Sequence, residues 1–263
     1  MAPAPIYAIG DVHGQFDMLL HALSLIEQDG GKDAKIVFVG DYTDRGPDSR
    51  AVVEYLIQEK EAGRPWIFLK GNHDEMFSVF VRSGHYDNAR ISSDLTWLHH
   101  RLGGPTTLLS YAPDLGLSAD EISAHYGRGT KRLDQDPLLR DIHDQIIKAV
   151  PKAHLDFLEH CPLIHETTDL LFVHAGLRPN VPLAEQDPQD LIWIREPFFA
   201  YAAPFEKLIV HGHTAYETPQ HFGNRVGIDG GAGYFRRLVP VVFEGRDTWT
   251  LTKVGRVALK PIT

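Results

Sequence analysis

One cysteine, Cys161, is the only thiol in 263 residues. That excludes an intrachain disulfide and any cysteine-built zinc site, so Cys161 reads as structural and the setting as reducing and cytoplasmic. No uncharged apolar run approaches the eighteen or so residues a membrane span needs. The opening "MAPAPIYAIGD" lacks the basic-then-apolar pattern of an export leader. A surplus of positive charge is missing too: 26 Lys and Arg stand against 35 Asp and Glu, a net charge of −9. Non-specific binding of nucleic acid is disfavoured by that balance. The expectation is therefore a soluble monomer with neither a membrane nor a nucleic-acid partner. If its substrate is an anion, something local must reverse the field.

Repeats, low-complexity stretches and linkers are also absent, so residues 1–263 read as one domain. What is present is a set of short β-rich runs, each ending in polar residues or glycine: "IYAIGD", "IVFVGD", "WIFLKGN", "LLFVHAG" and "KLIVHGH". Their continuous apolarity predicts strands covered on both faces. Helical stripes separate the first three, with Leu19, Leu23 and Ile26 in one and Val52, Val53, Leu56 and Ile57 in the other. Strand, helix and strand at a period of about thirty residues is the βαβ unit, whose parallel strands end at one edge of the sheet. That edge is where α/β sheets bind ligands. Residues 83–165 are less regular and read as an insertion, with a helical stretch near 135–160 interrupted at Pro151. The runs "RVGIDGG", "LVPVVFEG" and "TWTLTKVGR" predict a second, more antiparallel sheet.

The strand ends carry Asp11 and His13; Asp41, Asp44 and Arg45; Asn72, His73 and Asp74; His174; and His211 with His213. Singly, each has an ordinary structural use, as an N-cap, a turn residue or a hydrogen-bonded core histidine. Gathered at one edge they are metal ligands, general acids and phosphate binders by type. Oxygen and imidazole donors without thiolate suit Mn foremost, with Fe, Zn or Ni as other fits. If Asp41 bridges two cations, one takes Asp11, His13 and Asp41, and the other Asp41, Asn72, His174 and His213. Such a pair, about 3.5 to 4 Å apart, lowers the pKa of shared water and clamps both oxygens of a displacement. Two divalent cations against two aspartates also leave a local surplus of positive charge, which answers the field problem. His73 is then placed to protonate a leaving group, with Asp44 fixing its tautomer and raising its pKa. Arg45 offers a planar fork to phosphate oxygens.

The blocks "GDVHG", "GDYTDRG", "GNHD", "HAG" and "HGHT" resemble the signatures of the calcineurin-like metallophosphoesterases, most nearly their bacterial and bacteriophage phosphoprotein phosphatase branch. The resemblance runs from about residue 6 to 245. It implies a four-layer α-β-β-α sandwich of two mixed sheets flanked by helices, a dinuclear metal site, and direct attack by a metal-bridging hydroxide without a covalent intermediate. By motif position it assigns Asp11, His13, Asp41, Asn72, His174 and His213 to metals, His73 with Asp44 to proton donation, and Arg45 to phosphate, with Asn72 also facing phosphate. "LIWIRE" puts Arg195 where related bacterial enzymes carry a second phosphate-binding arginine. "HAG" fits the bacterial branch, and "GHTA" lacks the further histidine of nuclease relatives. The role of Asp74 stays open, and His211 reads as supporting. The main expectation is a serine/threonine protein phosphatase, with phosphotyrosine within reach, acting on a phosphorylated protein or peptide. The alternative is a symmetrical dinucleoside tetraphosphatase, and from another class a catalytically silent scaffold. Substrate choice is expected from residues 83–165 and the loops near Arg195 and Tyr234.

Overall fold

The apolar runs become strands sandwiched between other layers. In a computed structural model that describes residues 4–91 and 93–262, the chain opens β1 (Ile6–Ile9), α1 (Phe16–Gly30), β2 (Lys35–Phe38), α2 (Ser49–Glu61), β3 (Trp66–Phe68) and α3 (Asn72–Ser83). Four helices follow: α4 (Gly104–Tyr111), α5 (Ala119–Tyr126), α6 (Pro137–Ala149) and α7 (Lys152–His160). Pro151 separates the last two, because proline cannot continue a helix interior. Then come β4 (Ile164–Glu166), β5 (Leu170–Val173), α8 (Pro188–Trp193), β6 (Leu208–His211), β7 (Gln220–His221), β8 (Arg225–Gly227), β9 (Val241–Glu244), β10 (Asp247–Thr252) and β11 (Gly255–Ala258).

Two mixed sheets result, in the orders β11-β10-β9-β1-β2-β3 and β4-β5-β6-β8-β7. Strands β1, β2 and β3 are mutually parallel, as are β5, β6 and β8. Alternation along each strand assigns side chains to two cores. Ala8, Val37, Leu170, Phe172, Leu208, Val210 and Val226 meet between the sheets. Tyr7, Ile9, Ile36 and Phe38 point the other way, into a core shared with α1 through α7. Behind the second sheet, Leu171, Val173 and Ile209 pack under α8 and Phe198. The flanking layer is thus thick on one side and thin on the other.

One expectation is corrected. Of the late strands, only β7 and β8 join the second sheet, whereas β9, β10 and β11 extend the first through the open edge of β1, with Tyr7 opposite Val242. Burial explains this: Val241 and Phe243 enter the inter-sheet core while Val242 enters the helical one, so β9 must lie inside the sandwich. No helix among the described residues is long and apolar enough to cross a membrane.

Candidate metal centre

The loops leaving β1, β2 and β6 adopt left-handed backbone at His13 (φ 48°), Asp41 (55°), Asp44 (75°), Arg45 (66°) and His213 (63°). Non-glycine residues rarely hold this conformation, and each costs on the order of 1–3 kcal/mol unless its surroundings impose it. Here they do. The Asp41 carbonyl accepts from the Val12 and His13 amides at 3.0 and 2.9 Å, tying the first two loops together. The buried Asp74 carboxylate accepts from the amides of Asp41 (2.8 Å), Tyr42 (2.9 Å), Thr43 (3.3 Å) and Gly71 (3.1 Å). Asp74 therefore braces "GDYTDRG" from the start of α3. A side chain at Gly71 would collide with the Asp41 carboxylate, so only glycine permits that approach.

The strand ends converge on Asp41. Two groups of three donors form, each with all atoms within 4.8 Å: His13, Asp41 and His73, and Asp41, His174 and His213. His13 Nδ1 donates to the Thr43 carbonyl and His174 Nδ1 to the Val39 carbonyl, both at 2.8 Å. Each Nε2 then carries its lone pair toward the site, as in metal-ligating imidazoles oriented by a carbonyl. Those lone pairs face Asp41 Oδ2 at 3.6 and 3.4 Å, acceptor against acceptor. Burial lowers the pKa of both histidines, that of His174 to about 3, so they carry no positive charge at neutral pH, and it raises that of Asp41, favouring its protonated form when no cation is bound. Asn72 Oδ1 lies 2.9 Å from His174 Nε2 and 2.8 Å from His213 Nδ1, while His213 Nε2 is buried without a partner. Convergent oxygen and imidazole donors of this kind fit divalent cations.

Asp11 lies at the margin of these groups. Its carboxylate is 3.9 Å from His13 Nε2, outside the tight groups, and accepts from the His213 amide at 3.2 and 3.1 Å. Asp229 lies close enough to help burial raise its pKa. Arg45 instead approaches His13 Nε2 and reaches His73 Nε2 at 3.1 Å. Its guanidinium thus stands where positive charge is wanted.

His73 Nδ1 donates to Asp44 Oδ2 at 2.6 Å. Asp44 also accepts from Trp97 Nε1 at 2.6 Å and Thr107 Oγ1 at 2.7 Å. Burial pushes the Asp44 pKa up to about 7 and, with Arg45 beside it, pulls that of His73 well down. The expected rise at His73 is therefore reversed: desolvation and a neighbouring cation outweigh the carboxylate. Arg195 is exposed and within electrostatic reach of Arg45, Asp41 and Asp11. His211 stays outside both donor groups, against Phe198 and Phe199. Cys161 is buried, its thiol donating to the Phe157 carbonyl.

Sequence reasoning missed three residues. Trp97 and Thr107 lie 53 and 63 positions from Asp44, with no motif to connect them. Asp229 could have been found, because "RVGIDGG" repeats the pattern of strand, aspartate and glycine seen in "IYAIGD".

A symmetrical bis(5'-nucleosyl)-tetraphosphatase of Coxiella burnetii is 44% identical over 186 residues, covering 70% of this chain and 45% of that protein. A protein of the same name from Acidovorax is 28% identical over 224 residues, 83% of this chain and 56% of its own. The chain spans about half the length of these curated relatives. A solved structure of a candidate diadenosine tetraphosphatase, 20% identical, superposes with a TM-score of 0.58 over 95% of this chain and 98% of its own, which is a likeness of fold. The relatives' names overturn the expectation of a serine/threonine protein phosphatase with a phosphoprotein substrate, since one fold and its site motifs serve several substrates. The model of one family, described as calcineurin-like phosphoesterase, matches residues 4–238. Two mixed sheets with metal-type donors at their shared edge agree with that match, and the chain belongs to the calcineurin-like phosphoesterases.

Proposed function

We propose that this chain hydrolyses symmetrical dinucleoside tetraphosphates, adding water at the central anhydride and releasing two nucleoside diphosphates. The observation that carries this reading is the pair of relatives named for that reaction, 44% and 28% identical over 70% and 83% of the chain. Asp11, His13, Asp41, Asn72, His174 and His213 are the residues that would hold two divalent cations, with Mn the first to supply. When bound, such cations supply positive charge to the phosphates and lower the pKa of water toward neutrality.

The remaining work belongs to side chains. Arg45 and Arg195 hold phosphate oxygens, Arg45 with a fork suited to two of them. Asn72 orients the same group. Asp44 keeps the His73 ring in one tautomer, so Nε2 faces the site. With Arg45 beside it at 3.1 Å, that ring is less basic. Transfer of Arg45 onto an anionic substrate replaces that neighbour with negative charge, which lets His73 Nε2 carry a proton to the departing oxygen. Residues 83–165 serve twice in this reading, holding Asp44 through Trp97 and Thr107 and shaping substrate choice.

The test loads the full chain with Mn²⁺ and compares dinucleoside tetraphosphate, a phosphopeptide and a phosphodiester at equal concentration. Fastest turnover of the dinucleotide, abolished by a chelator, is the expected result. Preference for the phosphopeptide, or no metal-dependent turnover of any of the three, overturns the proposal.

A further inference from the structure

We propose that Tyr234 and Phe235 form a stacking platform for a nucleobase, a subsite that rests on the dinucleotide reading above and adds to it where the base is bound. Beyond β8 the chain passes Asp229 and enters a tight turn at Ala232–Tyr234. Gly231 (φ 80°) and Phe235 (φ 61°) flank it, both left-handed. The turn is closed by the Tyr234 amide on the Gly231 carbonyl and the Phe235 amide on the Ala232 carbonyl, both at 2.8 Å. Asp229, which is near enough to Asp11 to influence its charge, accepts from the Gly231 amide at 2.8 Å. The turn is thereby held by an aspartate at the edge of the site.

The base of the turn is buried against the site. A Cβ at Gly233 would meet His13 Cδ2 at 2.6 Å and Arg45 Cδ at 2.8 Å. Its tip does the opposite: Tyr234 is 55% and Phe235 70% exposed. A large ring that is mostly in water gains little from burial, and a left-handed phenylalanine carries backbone strain as well. Of the seven non-glycine residues with positive φ among the described residues, five carry the site's chemistry and Phe235 adjoins it.

The neighbours define the ligand. The Arg45 guanidinium lies 5.1 Å from the centre of the Tyr234 ring, so a phosphate held by Arg45 puts the attached nucleoside within reach of the aromatic pair. Arg236 is anchored beside it on the Tyr216 carbonyl at 3.1 Å. Flat rings next to phosphate-binding cations suit a polyanion that ends in a heteroaromatic base. Stacking tolerates any base, because each presents a π face, and deleting one platform ring costs about 5- to 150-fold in affinity. A peptide side chain of apolar character is the competing occupant.

The test uses the Mn²⁺-loaded full chain and compares calorimetric affinities for ADP, which carries a base, and inorganic pyrophosphate, which does not. Tyr234→Leu and Phe235→Leu should each weaken ADP at least tenfold more than pyrophosphate. The ring-keeping Tyr234→Phe and Phe235→Trp should hold the ratio of the two affinities within about threefold of the wild type. Equal losses for both ligands, an unchanged ADP affinity, or failure of the ring-keeping variants to retain the ratio would overturn the platform. The reaction is judged separately, by wild-type turnover of dinucleoside tetraphosphate. If that turnover is absent while the Leu variants lose ADP selectively, the reaction falls and the platform stands. If it is present and the Leu variants leave its KM unchanged, the platform falls and the reaction stands.

Discussion

At the residue scale the central pair is His73 and Asp44, joined at 2.6 Å inside the protein. Three donors satisfy Asp44: the His73 ring, the Trp97 indole and the Thr107 hydroxyl. A buried carboxylate with that many partners has one orientation, and so does the imidazole it holds. The value of the His73 proton depends on what leaves. A nucleoside diphosphate departs as a phosphate whose second pKa is about 6 and needs little help, whereas an unactivated phenol needs much more. We expect His73→Asn to slow phenyl phosphate by about a hundredfold or more. Losses on p-nitrophenyl phosphate and on dinucleoside tetraphosphate should be at least tenfold smaller. Steady-state rates on the three substrates check this, and equal losses on all three would remove His73 from the acid role.

At the element scale, strand ends and one helix start position the chemistry. Asp74 opens α3 yet bonds mainly to the loop after β2, so the first and third motif blocks are locked to the second through backbone amides. Asp74→Asn would turn an NH₂ group toward amide donors and leave buried N–H groups without acceptors, at about 1–3 kcal/mol for each unsatisfied group. A loss of about 3 kcal/mol or more is expected in urea unfolding of the metal-free chain. Asp74→Glu, which keeps the charge, should lose less, and equal loss in the two variants would show that the charge is not what holds the loop. The strand ends were legible because apolar runs stopping at Asp, Asn or His are visible in one dimension, as was the break at Pro151. Gly46 serves for space rather than for a left-handed turn: a side chain there would strike the His13 carbonyl. The link from Trp97 and Thr107 to Asp44 was not legible, since it spans more than fifty residues and exists only after packing. For the same reason β9 was assigned to the wrong sheet: alternation shows that both faces are buried, not which neighbour covers them.

At the scale of the whole molecule, an acidic chain gathers Asp11, Asp41 and Asp44 in its interior with their pKa values raised by burial. The sign of the consequence is definite. Between the unfolded carboxylate value near 4 and the raised folded value, about 7 for Asp44, the native state binds more protons than the unfolded one. This contribution destabilises the metal-free fold as pH rises through that window. The buried histidines act oppositely: His13, His73, His174 and His213 are held below their usual pKa, so their contribution grows as pH rises toward 6.5. Cations have one direction only, because they must displace the carboxylate protons while the histidines are already neutral. The rise in melting temperature on adding Mn²⁺ should accordingly be larger at pH 8 than at pH 5.5. A rise that is equal at the two pH values, or smaller at pH 8, would show that the carboxylates do not hold the metal.

The substrate is the point on which the sequence blocks and the relatives disagree, and the position of bond cleavage tests it most directly. The Mn²⁺-loaded chain is incubated with a dinucleoside tetraphosphate and its products are separated by ion-exchange chromatography. The account predicts nucleoside diphosphate as the only nucleotide product, two per substrate consumed. Equimolar nucleoside triphosphate and monophosphate, or an intact dinucleotide beside a hydrolysed phosphopeptide, would contradict it.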